Sequence, residues 1–145
     1  MSYAATLRMP FPAAEHKAER IYEKFRVLLA LDGLRLTPEI LAAALKQCVQ
    51  LTDRLDILLV NPPKAPTYLL GSLLLRLEHS GIDYRLASTE GNLGDEVVDY
   101  LHRFLGITLV IVDSLPSLEQ ALGSSLLELC RKGYRFISLS EPSPG

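Results

Sequence analysis

The sequence is poor in the residues that usually carry chemistry. It has two cysteines, Cys48 and Cys130, about eighty residues apart, and neither has a His or Cys at metal-ligand spacing. Both thiols fall within apolar helical patterns, so they read as buried core residues of a reduced compartment. Three histidines, His16, His79 and His102, sit on separate helical segments among charged neighbours. They read as surface residues, and no nucleophile–base pair can be assembled around them. The longest apolar run, residues 107–112, falls far short of the roughly 20 residues that cross a bilayer. The opening residues lack the basic head and apolar stretch of a signal peptide, so a cytoplasmic location is expected. Neither sign of charge dominates: 15 Lys and Arg stand against 17 Asp and Glu, a net charge of −2. Without an overall positive field, neither nucleic acid nor a membrane is expected as a partner.

What is present is material for a core. A length of 145 residues with 48% hydrophobic content, including thirty leucines, suits one globular domain, without internal repeats or low-complexity tracts. Residues 1–24 read as an N-terminal extension. Two prolines, Pro10 and Pro12, mark a lead-in, and over residues 13–24 six charges fall among Ala14, Ala18, Ile21 and Tyr22 at amphipathic helical spacing. Such a helix could dock a protein partner. The domain proper spans residues 25–141, and residues 142–145 form a tail.

Within the domain, apolar runs and helical periods alternate. Residues 26–31 form a fully apolar strand ending in Asp32-Gly33. Thr37-Pro38-Glu39 then supplies a cap, a first-turn proline and an acid for a helix to about residue 53. A second apolar strand, residues 55–60, stops at Asn61-Pro62-Pro63, and a second helix follows over residues 67–79. Residues 82–88 form a mixed third strand suited to a sheet edge. Asn92 and Asp95 cap a third helix that ends at Gly106. Residues 107–112 read as the clearest buried strand, residues 117–132 as one fourth helix, and residues 134–140 as a fifth strand. Five strands alternating with four helices predict an α/β, doubly wound, Rossmann-like domain with a parallel sheet.

The first strand–helix–strand unit, Phe25-Arg26-Val27-Leu28-Leu29-Ala30-Leu31-Asp32-Gly33 through residues 55–60, resembles the opening of the universal stress protein family. The stretch Glu90-Gly91-Asn92-Leu93-Gly94-Asp95-Glu96-Val97-Val98 is similar to that family's segment after the third strand, and Gly123-Ser124 resembles the end of its phosphate loop. The resemblance covers residues 25–141. It implies an adenine nucleotide alpha hydrolase-like fold with strand order 3-2-1-4-5. It also implies a ligand crevice at the carboxyl ends of strands one and four, with Asp32, Gly33, Val60, Asn61, Asp113, Gly123 and Ser124 as candidate ligand-binding positions. Nucleotide-binding members hold ATP through a loop of the form Gly-x2-Gly-x9-Gly-Ser/Thr, and this sequence departs from it. Asp113 stands where the first glycine belongs, Pro116 stands near the second, and the spacing is about three residues short.

Glycines matter in such a loop because bare backbone can approach phosphate and turn its N–H groups toward it. A carboxylate does the reverse. At an effective dielectric of about 20, a like-charge contact at about 6 Å costs on the order of 3 kcal/mol, roughly a hundredfold in affinity. The expectation is therefore a non-enzymatic stress-response or binding module with a degenerate nucleotide site and no cofactor. The alternative is an ATP- or AMP-binding switch or slow ATPase using Mg²⁺. Asp32 reads either as a ligand contact or as the cap of the turn that follows it. Asp113 reads either as a metal ligand with Asp32 or as part of a cap with Ser114. Gly123-Ser124 reads either as an anion contact or as a site of close helix packing, and Gly71-Ser72 reads the same way.

The last strand, carrying Tyr134, Phe136, Ile137 and Leu139, should be an edge with few charges and so a pairing surface for a second copy. The family resemblance also implies dimers built around it. A response-regulator receiver is excluded because it needs paired acids after the first strand, an Asp after the third and a Lys after the fifth. A flavodoxin is excluded because Gly33-Leu34-Arg35-Leu36 is a poor phosphate loop.

Overall fold

The computed structural model describes residues 26–64 and 68–139. The expected extension helix over residues 13–24 and the tail from residue 142 lie outside them. Strands β1 (Arg26–Asp32), β2 (Arg54–Val60), β3 (Asp83–Thr89), β4 (Ile107–Val112) and β5 (Arg135–Ser138) form one sheet in the order β3-β2-β1-β4-β5. Every pairing is parallel. The doubly wound architecture and the strand order both match expectation.

Local chemistry explains where the helices begin. Helix α1 (Pro38–Leu51) opens with the Thr37 hydroxyl accepting from Ile40 N, with Pro38 in its first turn. Helix α2 (Tyr68–His79) joins β2 to β3. Helix α3 (Leu93–Arg103) is capped by Asn92, whose Oδ1 accepts from Asp95 N. Its first turn carries Asp95 and Glu96 and its last turn His102 and Arg103, so the charges at both ends complement the helix dipole.

The strands alternate their side chains between two cores. Leu29, Leu31, Ile57 and Leu59 face α1 and α2, where Leu41, Ala44, Cys48, Leu73 and Leu77 meet them. Leu28, Ala30, Leu58 and Val110 face the opposite layer, with Val97, Leu101, Leu118 and Leu129. Each fully buried leucine contributes about 1.5–3 kcal/mol of apolar transfer, and the central strands hold many of them. Among the described residues no helix is long and apolar enough to cross a membrane.

The fourth helix departs from expectation. Instead of one helix over residues 117–132 there are two, α4 (Leu115–Leu122) and α5 (Ser124–Arg131), divided at Gly123. Gly123 has φ +57° and ψ −129°, a conformation that a Cβ disfavours, so the helix breaks there. A Cβ at Gly123 or at Gly71 would meet no atom within 4 Å, so neither glycine marks a close helix contact. Cys130, expected in the core, is exposed on α5, whose buried residues are Leu126 and Leu129, whereas Cys48 is buried as expected. Burial pushes the Cys48 thiol up to about 12, which keeps it protonated and inert.

Candidate functional site

In a sheet of this order, ligands bind outside the carboxyl ends of the strands where the winding reverses, here between β1 and β4. Asp32 ends β1, and its Oδ1 accepts from Leu34 N at 3.0 Å, which caps the short 3-10 turn Gly33–Arg35. From that turn Arg35 reaches across the crevice and donates through Nη1 to Ser117 Oγ at 3.2 Å on α4. The turn also presses against the end of β2. A Cβ on Gly33 would stand 2.0 Å from the Asn61 carbonyl oxygen, so only glycine fits.

Asn61 is occupied structurally. It adopts φ +57°, donates through Nδ2 to Gly91 O at 2.9 Å and accepts from Gly91 N through Oδ1 at 3.1 Å. Its side chain therefore latches the β2 end to the β3 end and presents nothing to a ligand. Val60 is fully buried in the core beneath.

Beyond β4 the chain differs most from a phosphate cradle. Asp113 is 3% exposed. Burial raises its carboxyl above the usual range, Arg35 and the Ser114 N–H oppose that rise, and Asp32 adds to it. The helix α4 starts at Leu115, two residues before the expected start at residue 117, and takes the place of a glycine-rich loop. Ser114 caps it, accepting from Ser117 N at 3.3 Å through Oγ and from Leu118 N at 3.2 Å through its carbonyl. Leu115 N donates to Ser138 Oγ at 3.0 Å on β5, and Pro116 has no N–H. The four positions of the first turn thus have no donor left over for an anion. Gly123 and Ser124 lie beyond the eight residues of α4, about 12 Å along its axis, and are not brought into the crevice.

The described charges around this end are acidic. Asp32, Glu39, Glu90, Asp95, Glu96 and Asp113 stand against Arg35 and Lys64. Among the described residues no three His, Cys, Asp or Glu side chains cluster to hold a metal ion.

Sequence reasoning missed a second polar cluster, at the amino ends of the strands. Asp56 on β2 is 0% exposed. Arg85 on β3 grips it with Nε to Oδ1 at 3.0 Å and Nη2 to Oδ2 at 2.7 Å. Arg26 on β1 donates to Oδ1 through Nε at 3.1 Å and also through Nη2. The Tyr100 hydroxyl on α3 donates to Oδ2 at 2.8 Å. Burial alone would raise this carboxyl, but the hydrogen bonds and charges of Arg85 and Arg26 together hold it below its ordinary value. A carboxylate has about four lone-pair directions, and these donors fill them, so the cluster braces the fold and offers no acceptor to a substrate. The signal in the sequence was a lone acid inside the apolar run of residues 55–60, which needs a cation beside it.

Compared with family models, with curated proteins and with solved structures, the chain finds no match in any of the three.

Proposed function

We propose that this chain is a universal stress protein-like, non-enzymatic binding module, working as a homodimer and not holding ATP in the usual way. One observation carries the reading: every backbone donor of the first turn of α4 is already used by Ser114 or Ser138, directly behind the buried Asp113 carboxylate. A triphosphate arriving there would meet acids and no free N–H groups, the reverse of what phosphate binding requires. The dimer is supported by β5, which pairs only with β4 among the described strands and carries one charge, Arg135. An edge of that kind is satisfied by a partner strand.

The test is calorimetric titration with ATP and with AMP, with and without Mg²⁺, up to millimolar ligand, beside sedimentation across micromolar protein concentrations. No heat of binding and a dimer mass are expected. Saturable binding would replace this reading with a nucleotide switch, and a monomer throughout would remove the pairing role of β5.

A further inference from the structure

Parallel sheets built from helical crossovers are covered on both faces, and right-handed crossovers decide which helix lies where. Here α1 and α2 follow β1, β2 and β3 across one face, while α3, α4 and α5 all lie on the other. Among the described residues, the β4–β5 half of the first face is therefore left without a helix. That half is apolar, with Leu109 and Ile111 from β4 beside Ile137 and Leu139 at β5. Ile111 is 0% exposed and its three companions are half-buried.

We propose that residues 13–24 of the same chain form the missing helix and lie over β4 and β5 beside α1. Three observations point to this occupant. At 100° per residue, Ala14, Ala18, Ile21 and Tyr22 fall within an arc of about 100°, an apolar stripe of the width a sheet-packed helix needs. Glu15, Glu19 and Glu23 flank it on one side, and Lys17, Arg20 and Lys24 on the other.

Position selects the seat. Lys24 lies two residues before Arg26, the start of β1, and helix-to-strand connections in α/β sheets run about 2–6 residues. So short a link keeps the segment in the layer directly on the sheet and excludes the outer surfaces of α1 and α2, a helix diameter of about 10–12 Å farther out. On that layer α1 already covers β1 on one face and α3 on the other, which leaves the seat over β4, the other neighbour of β1. Charge agrees: Arg135 is exposed on this face at the amino end of β5, the end toward which Glu19 and Glu23 would descend.

Short-range cross-linking in the full-length chain tests this. In a Cys130→Ser background, Ala18→Cys paired with Ile137→Cys should be joined within one chain by a short bismaleimide, with a yield independent of protein concentration. Ala18→Cys paired with Leu75→Cys, exposed on α2, should not be joined. No link to position 137, a link to position 75, or links formed only between two chains would each overturn the proposal, the last by showing that a second copy supplies the cover. In the otherwise natural chain, Ala18→Asp should speed amide exchange in β4 and β5 at least about tenfold and leave β3 unchanged, while His16→Asp on the polar arc does neither. Equal responses to the two substitutions would also overturn it.

Discussion

Among the described residues two carboxylates are buried, one at each end of the sheet, and their surroundings treat them in opposite ways. Asp56, at the amino end, is surrounded by two guanidinium groups and a phenol, and its carboxyl is held below the ordinary range. Asp113, at the carboxyl end, is almost as deeply buried, yet its carboxyl is raised by that burial despite Arg35. The difference lies in what the strands can deliver. At the amino end, β2 lies between β1 and β3, so arginines on both neighbours reach the same carboxylate. At the carboxyl end, Asp113 follows the last residue of β4, where turns rather than strands set its surroundings. A buried acid whose environment opposes its charge, placed at the crevice, makes the carboxyl end the candidate functional end and the amino end a brace.

The largest break in this comparison should come from Arg85→Met. It removes the bidentate partner and leaves Asp56 buried with Arg26 and Tyr100, and stranding a buried charge typically costs about 3–5 kcal/mol. With Arg26 remaining, a loss of about 3 kcal/mol in a denaturant titration is expected. A loss under about 1 kcal/mol would mean that the network is ornamental. The pH dependence should change as well. Because the folded carboxyl lies below its unfolded value, its contribution is present above the ordinary carboxylate range and is lost as pH falls through the folded value. Arg85→Met should flatten that acid limb.

The same contrast explains what could be read from the sequence. The strands and the caps at Thr37 and Asn92 were legible because each rests on a few adjacent residues, whereas the strand order is not local and was expected only from the family resemblance. Asp56 was passed over inside an apolar run because its partners come from β1, β3 and α3 and meet only once strand register is set. The closeness of Gly33 to Asn61 is likewise a contact between separate loops. At Gly123 the sequence is equally compatible with a packing glycine within one helix, since nothing local distinguishes a close contact from a break with φ +57°. Asp113 was legible as a departure from a phosphate loop, and so was a helix after it, but the start of that helix at Leu115 was not, because Leu115 N is met by Ser138 from β5.

A smaller effect should follow from Tyr100→Phe. The substitution keeps the ring, which stacks on Phe104 with centroids 4.3 Å apart, and deletes only the hydroxyl that donates to Asp56. Hydrogen bonds to charged groups contribute about 1.5–3 kcal/mol, and with four other donors on the carboxylate a loss of about 1.5–2 kcal/mol is expected. If the loss exceeds that of Arg85→Met, the phenol rather than the arginines holds the cluster, and the account of the brace must be redrawn around α3.

The smallest effect, and the one of opposite sign, should come from Asp113→Asn. The folded carboxyl of Asp113 is raised above its unfolded value, so the protonated form is the one the fold prefers. Its favourable contribution is fully present below the unfolded value and is lost as pH rises through the folded value. An amide keeps nearly the same shape and never ionises, so it escapes that loss. The variant should therefore match the natural protein near pH 3, where Asp113 is protonated, and exceed it in stability at pH 7. Thermal denaturation of both proteins across that range gives the two curves. Curves that stay parallel, or a variant that is weaker at pH 7, would show that Arg35 and the Ser114 N–H fully compensate the carboxylate. The two ends of the sheet would then be braced alike, and the carboxyl end would lose the feature that singles it out.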